Sequence, residues 1–108
     1  MKAHSVKPIS EKQFQAMVVK LARLMGWLVF HPFDARRSAP GYPDLTMIHR
    51  ESKRLVVCEL KTGRRKLTPE QSDWISLFKA CGIPAYVWTP DSWDEIESVL
   101  RLNPQEIP

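Results

Sequence analysis

Apolar residues return at three- and four-residue steps through Phe14, Met17, Val18, Leu21, Ala22 and Met25, the spacing of one helix face. Just before them, Ser10-Glu11-Lys12-Gln13 fits a capping box, in which the Ser10 hydroxyl accepts from the Gln13 amide and the Gln13 side chain reaches back. Gly26 offers a left-handed stop, so the pattern predicts an amphipathic helix of about four turns. Residues 27–33 are short, apolar and aromatic, which suits a strand. Residues 34–43 hold two arginines, a glycine and two prolines and read as an exposed basic loop. Residues 44–49 and 54–61 are strand-like, and the polar stretch 50–53 between them predicts a hairpin. Thr68-Pro69-Glu70-Gln71 repeats the capping-box logic with proline at the first helical position; Trp74, Ile75, Phe78 and Lys79 follow, and Gly82 ends the helix. Residues 83–89 read as a fourth strand, and Ser92 with Glu95 opens a last helix carrying Ile96, Val99 and Leu100. The order α-β-β-β-α-β-α predicts an α/β domain, a mixed four-stranded sheet flanked by helices.

With 108 residues there is room for one core. The expected organisation is a loose arm over residues 1–8, a domain over 9–102 and a fraying tail over 103–108. No apolar stretch is long enough to cross a bilayer, and the first residues lack the apolar core of a signal peptide. A cytoplasmic protein without membrane partners is expected. Cys58 and Cys81 lie in apolar segments without CxxC spacing, which predicts buried thiols in a reducing compartment.

Charge is unevenly spread. Up to residue 90 there are 15 bases against 7 acids, whereas the last 18 residues hold 1 base and 5 acids. The basic part is where a polyanion would dock, although a solvated surface accounts for such charge equally well.

Candidate chemistry sits at the end of the strand Leu55-Val56-Val57-Cys58-Glu59-Leu60-Lys61. Side chains alternate along a strand, so Glu59 and Lys61 share a face. In an antiparallel hairpin centred on Ser52, Asp44 at the start of one strand neighbours residues 59–61 at the end of the other. Two adjacent carboxylates resist joint ionisation unless a divalent cation lies between them, and oxygen ligands favour Mg²⁺ or Mn²⁺. Such an ion polarises a phosphate and activates water, while the Lys61 ammonium can hold the water and offset charge at phosphorus. The Leu60 backbone carbonyl is a further candidate ligand. Alone, Glu-x-Lys describes an ordinary ion pair just as well, and Asp44 a turn cap.

Taken as an ordered set, Gly41-Tyr42-Pro43-Asp44-Leu45, Glu59-Leu60-Lys61 and Leu67-Thr68-Pro69-Glu70-Gln71 with Trp74 resemble the VRR-NUC domain of the PD-(D/E)xK nuclease superfamily. The resemblance runs from about Glu11 to Trp88. It implies a restriction-endonuclease-like core and a metal-dependent DNA endonuclease in which Asp44 and Glu59 bind the ion and Lys61 positions the attacking water. It also implies an auxiliary role for Gln71 and a possible one, as a further ligand, for Glu11. Stand-alone members resemble Holliday-junction resolvases that act as homodimers on four-way junctions, which implies branched DNA as partner and a bacterial or phage-infected cell as setting. Nucleases of linear or flap DNA, and a DNA-binding module without catalysis, are the competing readings. Arg36, Arg37 and Ser38 before the Asp44 turn, and Thr62, Arg64, Arg65 and Lys66 after Lys61, are the expected phosphate contacts. His31 is a weaker candidate for the same role.

Overall fold

Helix α1 (Glu11–Leu24) starts on the capping box read from the sequence: the Gln13 amide donates to Ser10 Oγ at 3.0 Å and the Ser10 amide to Gln13 Oε1 at 2.9 Å. The computed structural model describes residues 8–32 and 39–101. The predicted tail, all but Pro8 of the predicted arm, and Arg36, Arg37 and Ser38 lie outside the described residues. Strand β1 (Trp27–Phe30) follows α1, then the hairpin of β2 (Leu45–His49) and β3 (Arg54–Leu60). Helix α2 (Pro69–Ala80) leads to β4 (Ala85–Trp88), and a 3₁₀ turn (Pro90–Ser92) leads to α3 (Trp93–Arg101). This is the element order the periodicity implied.

The sheet runs β1-β2-β3-β4, with β1, β2 and β3 antiparallel and β4 parallel to β3. Parallel pairing needs a crossover, and α2 supplies it. Alternation along the strands divides the apolar residues between two faces. On one, Leu45, Met47, Val56, Cys58, Leu60 and Trp88 are fully buried under Phe14, Val18 and Ala22 of α1 and Ile96 and Leu100 of α3. Each large side chain so buried contributes roughly 1.5–3 kcal/mol relative to exposure. Trp27 Nε1 donates to the Leu100 carbonyl at 2.9 Å and Trp88 Nε1 to Glu95 Oε1 at 2.8 Å, which fixes α3 to this layer. On the other face, Ile75 and Phe78 of α2 cover Val57 and Ala85. Leu28, Phe30 and Ile48 remain exposed beside them.

Several boundaries differ from expectation. β1 ends at Phe30, paired with Thr46, ahead of Pro32, which has no amide hydrogen to donate to a ladder. β2 starts one residue late because Asp44 meets β3 through its side chain instead of its backbone. β3 stops at Leu60, one residue early, although the Lys61 amide still donates to the Trp88 carbonyl. The hairpin pairs Leu45 with Cys58 and His49 with Arg54, which centres it between Glu51 and Ser52. Ser92 closes the 3₁₀ turn, accepting from the Thr89 amide at 3.1 Å, and the α-helix begins after it. Cys58 is buried as expected, but Cys81 is exposed, because it caps the end of α2 where the chain turns at Gly82.

Candidate active site

The β2-β3 register, extended one step, sets Asp44 opposite Glu59. Along β3 the amide of Leu60 points toward β2, where Pro43 and the turn leave no backbone partner; Asp44 Oδ2 accepts from it at 2.8 Å. The carboxylate thus completes the ladder and is held against β3. A strand residue's carbonyl lies on the same edge as its amide, so the Leu60 carbonyl also faces this side. Glu59 and Lys61 share a face, with Lys61 Nζ 3.6 Å from Glu59 Oε2, and both are buried.

Helix α2 delivers Gln71. Its Oε1 accepts from the Thr68 amide at 2.9 Å in the capping box, which leaves its Nε2 to donate to Glu59 Oε2 at 3.0 Å. The box that starts the helix therefore also sets which end of the amide meets Glu59.

The 39–43 turn is seated on the same helix. Gly41 adopts φ +84°, and a Cβ there would lie 2.5 Å from the Glu70 carbonyl carbon and 2.7 Å from the Gln71 amide nitrogen. Tyr42 packs edge-on against Trp74 at 5.0 Å and donates to or accepts from Thr46 Oγ1 at 2.9 Å, while Trp74 Nε1 donates to the Pro40 carbonyl at 3.0 Å. These contacts hold Asp44 where β3 can reach it.

Electrostatically the site is loaded. Burial, then the Asp44 charge, push the Glu59 carboxyl up to about 7 against the attraction of Lys61. Burial also raises Asp44, opposed by the Leu60 amide and reinforced by Glu11. Burial and the two carboxylates raise the Cys58 thiol well above its usual value. Glu59 Oε1 is buried with no hydrogen-bond partner. A buried carboxylate oxygen left without a donor, beside a second carboxylate, is the chemistry of a cation ligand pair. Asp44 and Glu59 fit a divalent cation on these grounds.

Glu11 contributes to the field at Asp44, yet its own carboxylate pairs with Arg65 Nη1 at 3.0 Å. Among the described residues no group of three or more His, Cys, Asp or Glu side chains is gathered for a metal. Arg64 and Lys66 are exposed and Thr62 is half-buried on the stretch after Lys61. His31 is exposed and lines, with Gln15, Tyr42, Asp44 and Gln71, a cleft of about 210 Å³. Gln15 and the Gly41-Tyr42-Trp74 contact escaped reading as site features; the four-residue step from Glu11 to Gln15 was the available signal for the first.

The sheet order, the helix arrangement and the carboxylate-lysine strand end are consistent with the PD-(D/E)xK nuclease class to which the family match assigns the chain. More narrowly, the chain belongs to the VRR-NUC domain family, a nuclease family, which matches it over residues 6–91. A solved VRR_NUC domain protein superposes with a TM-score of 0.62 at 22% identity, covering 88% of both chains. Hjc of Archaeoglobus fulgidus, a Holliday junction resolvase from an archaeal hyperthermophile, superposes with a TM-score of 0.49 at 17% identity, covering 70% of this chain and 64% of that one. Over 52 residues the sequence is 40% identical to the Fanconi-associated nuclease 1 homolog of Caenorhabditis elegans. That stretch is 48% of this chain and 6% of the relative, so the chain spans a small part of the relative's length.

Proposed function

We propose that the chain is a divalent-metal-dependent DNA endonuclease that hydrolyses phosphodiester bonds, selects branched DNA and acts as a homodimer. The carrying observation is half-buried Asp44 facing buried Glu59, with Glu59 Oε1 unpartnered and Lys61 Nζ 3.6 Å from Glu59 Oε2. Asp44, Glu59 and the Leu60 carbonyl are the ligands, and Glu11 is available once it leaves Arg65. Bound Mg²⁺ or Mn²⁺ supplies charge neutralisation at the phosphate and a lowered pKa for water. Lys61 holds the attacking water and offsets charge as the water oxygen bonds to phosphorus and the bond to the leaving sugar oxygen breaks, the water giving up one proton and the leaving oxygen taking one from solvent. Gln71 keeps the Glu59 carboxylate in one orientation, and Arg36, Arg37, Ser38, Thr62, Arg64, Arg65, Lys66 and His31 hold flanking phosphates.

A labelled four-way junction incubated with Mg²⁺ or Mn²⁺ tests this reading. Cleavage that EDTA and Asp44→Ala both suppress is the expected result; cleavage no greater than in Asp44→Ala would overturn it. Competition between the junction and a duplex of the same sequence tests the substrate, and equal rates would favour the nuclease of linear or flap DNA.

The exposed sheet face of Leu28, Phe30 and Ile48 supports the dimer, since an uncovered apolar face next to an edge strand is a surface a second copy can bury symmetrically. Leu28→Lys with Phe30→Glu is expected to halve the mass measured by light scattering. An unchanged mass would place the interface elsewhere.

Gln71 offers a separable test. Gln71→Glu retains an acceptor for the Thr68 amide, so α2 still starts normally, but it sets a carboxylate where Nε2 met Glu59. Cleavage is expected to fall roughly 10–100-fold, the usual loss on disturbing a ligand's support, with helical circular dichroism unchanged. Wild-type rates in Gln71→Glu would remove Gln71 from the mechanism.

A further inference from the structure

The outward face of α1 carries a feature that neither basic cluster flanking the carboxylates includes. Lys12, Gln15, Lys20 and Arg23 recur on one side of the helix and, with Ala16, Val19 and His31, line an open trough of about 590 Å³. Lys12, Lys20 and Arg23 are exposed, and none makes an ion pair among the described residues. The opposite face of the helix, through Phe14, Val18 and Ala22, is committed to the core. Among the described residues, what α1 turns outward is therefore a stripe of unpaired positive charge beside the apolar Ala16, Val19 and Leu24.

Position gives this charge a purpose. Gln15 and His31 line both the trough and the cleft over Asp44 and Gln71, so the two are continuous. Glu11, in the first turn of α1, contributes to the field at Asp44, so the N-terminal end of the helix lies at the carboxylates and the trough leads away from them. From Lys12 to Arg23 the helix advances about 16 Å. Duplex DNA rises about 3.4 Å per base pair, so the stripe matches roughly five base pairs of backbone.

We infer that the α1 trough is a second DNA-binding surface, which holds the phosphate backbone of the duplex arm leaving the cleavage site through Lys12, Lys20 and Arg23. This rests on the nuclease reading and extends it by assigning the path of the substrate. A partner held by apolar contact alone is disfavoured because Lys12, Lys20 and Arg23 surround the apolar Ala16, Val19 and Leu24 of the trough, and an acidic protein surface would have no reason to adjoin a phosphodiester-cleaving cleft. Backbone contacts of this kind carry no base preference, which suits an arm recognised by shape.

The test is performed in a Glu59→Gln background, with binding of a fluorescent duplex-armed DNA followed by anisotropy across a range of salt concentrations. Lys12→Gln, Lys20→Gln and Arg23→Gln are combined in one variant, since glutamine sustains a helix about as well as lysine. A matched control combines Arg50→Gln, Lys53→Gln and Lys79→Gln; it removes the same charge from the hairpin tip and the last turn of α2, away from the site. The trough variant is expected to bind at least about tenfold more weakly, and its slope of log affinity against log salt to be smaller by about two to three. Single Lys20→Gln and Arg23→Gln variants, each expected to reduce the slope by about one, report the same contacts if the triple variant is poorly folded. The control is expected to stay within about twofold of the parent. Equal behaviour of trough and control variants would overturn the inference, as the effect would then be net charge alone. Metal-dependent cleavage by the wild-type chain, measured alongside, reports on the nuclease reading separately: cleavage with an unaffected trough variant rejects only the trough.

Discussion

Glu59→Gln is expected to reduce cleavage by about 10³-fold or more while making the metal-free protein more stable near neutral pH. Both effects come from one carboxylate. With its folded pKa raised to about 7 from 4.5, Glu59 holds a proton in the native state over a range where the unfolded chain has released it. Stability from this group is complete below about pH 4.5, falls as pH rises, and is lost once pH passes about 7. The penalty above that range is on the order of 3 kcal/mol, and the neutral amide removes it. In EDTA at about pH 8, Glu59→Gln should melt several degrees above wild type, and the difference should vanish at about pH 4.5. Mg²⁺ or Mn²⁺ should raise the wild-type melting temperature at the higher pH and leave the variant unmoved. A variant less stable than wild type at about pH 8 would mean that ionised Glu59 is satisfied without a metal.

Gly41→Ala is expected to cost about 2–5 kcal/mol and to lower cleavage by about 10²-fold, although residue 41 touches no substrate in the proposed mechanism. A Cβ would meet backbone atoms of Glu70 and Gln71 at 2.5–2.7 Å, and the residue sits at φ +84°, so the clash and the strain add. Backbone cannot rotate aside as a side chain can. The 39–43 turn must lift from α2, which separates Tyr42 from Trp74 and moves Asp44 relative to the Leu60 amide. Urea unfolding checks the stability and single-turnover cleavage the activity, both at a temperature where the variant is folded. Near-wild-type values for both would show that the turn is not held by its fit to α2.

That same turn marks where sequence reasoning stops. The order of elements follows from periodicity and capping because those signals are local: Ser10 with Gln13 and Thr68 with Gln71 form the boxes their spacing implied. The meeting of Asp44 with the end of β3 was legible too, since a hairpin's register follows from its turn. Contacts between elements distant in the chain were not. Gly41 reads as a turn glycine, but its close approach to α2 depends on how the crossover helix lies on the sheet. Likewise, Glu11 at a helix start is compatible with the helix dipole, a ligand or an ion pair, and the pairing with Arg65 depends on a loop 54 positions away. Cys81 shows the reverse error: an apolar neighbourhood in sequence placed it inside, whereas the helix end leaves it exposed.

That Asp44 and Glu59 form one cation site is tested most directly by titrating Mn²⁺ into the metal-free protein by calorimetry, at about pH 6.5, in buffers of different ionisation enthalpy. One Mn²⁺ site that releases protons on binding, and that is lost in both Asp44→Asn and Glu59→Gln, is the expected result. Undiminished Mn²⁺ binding in those variants, or none in wild type, would contradict it.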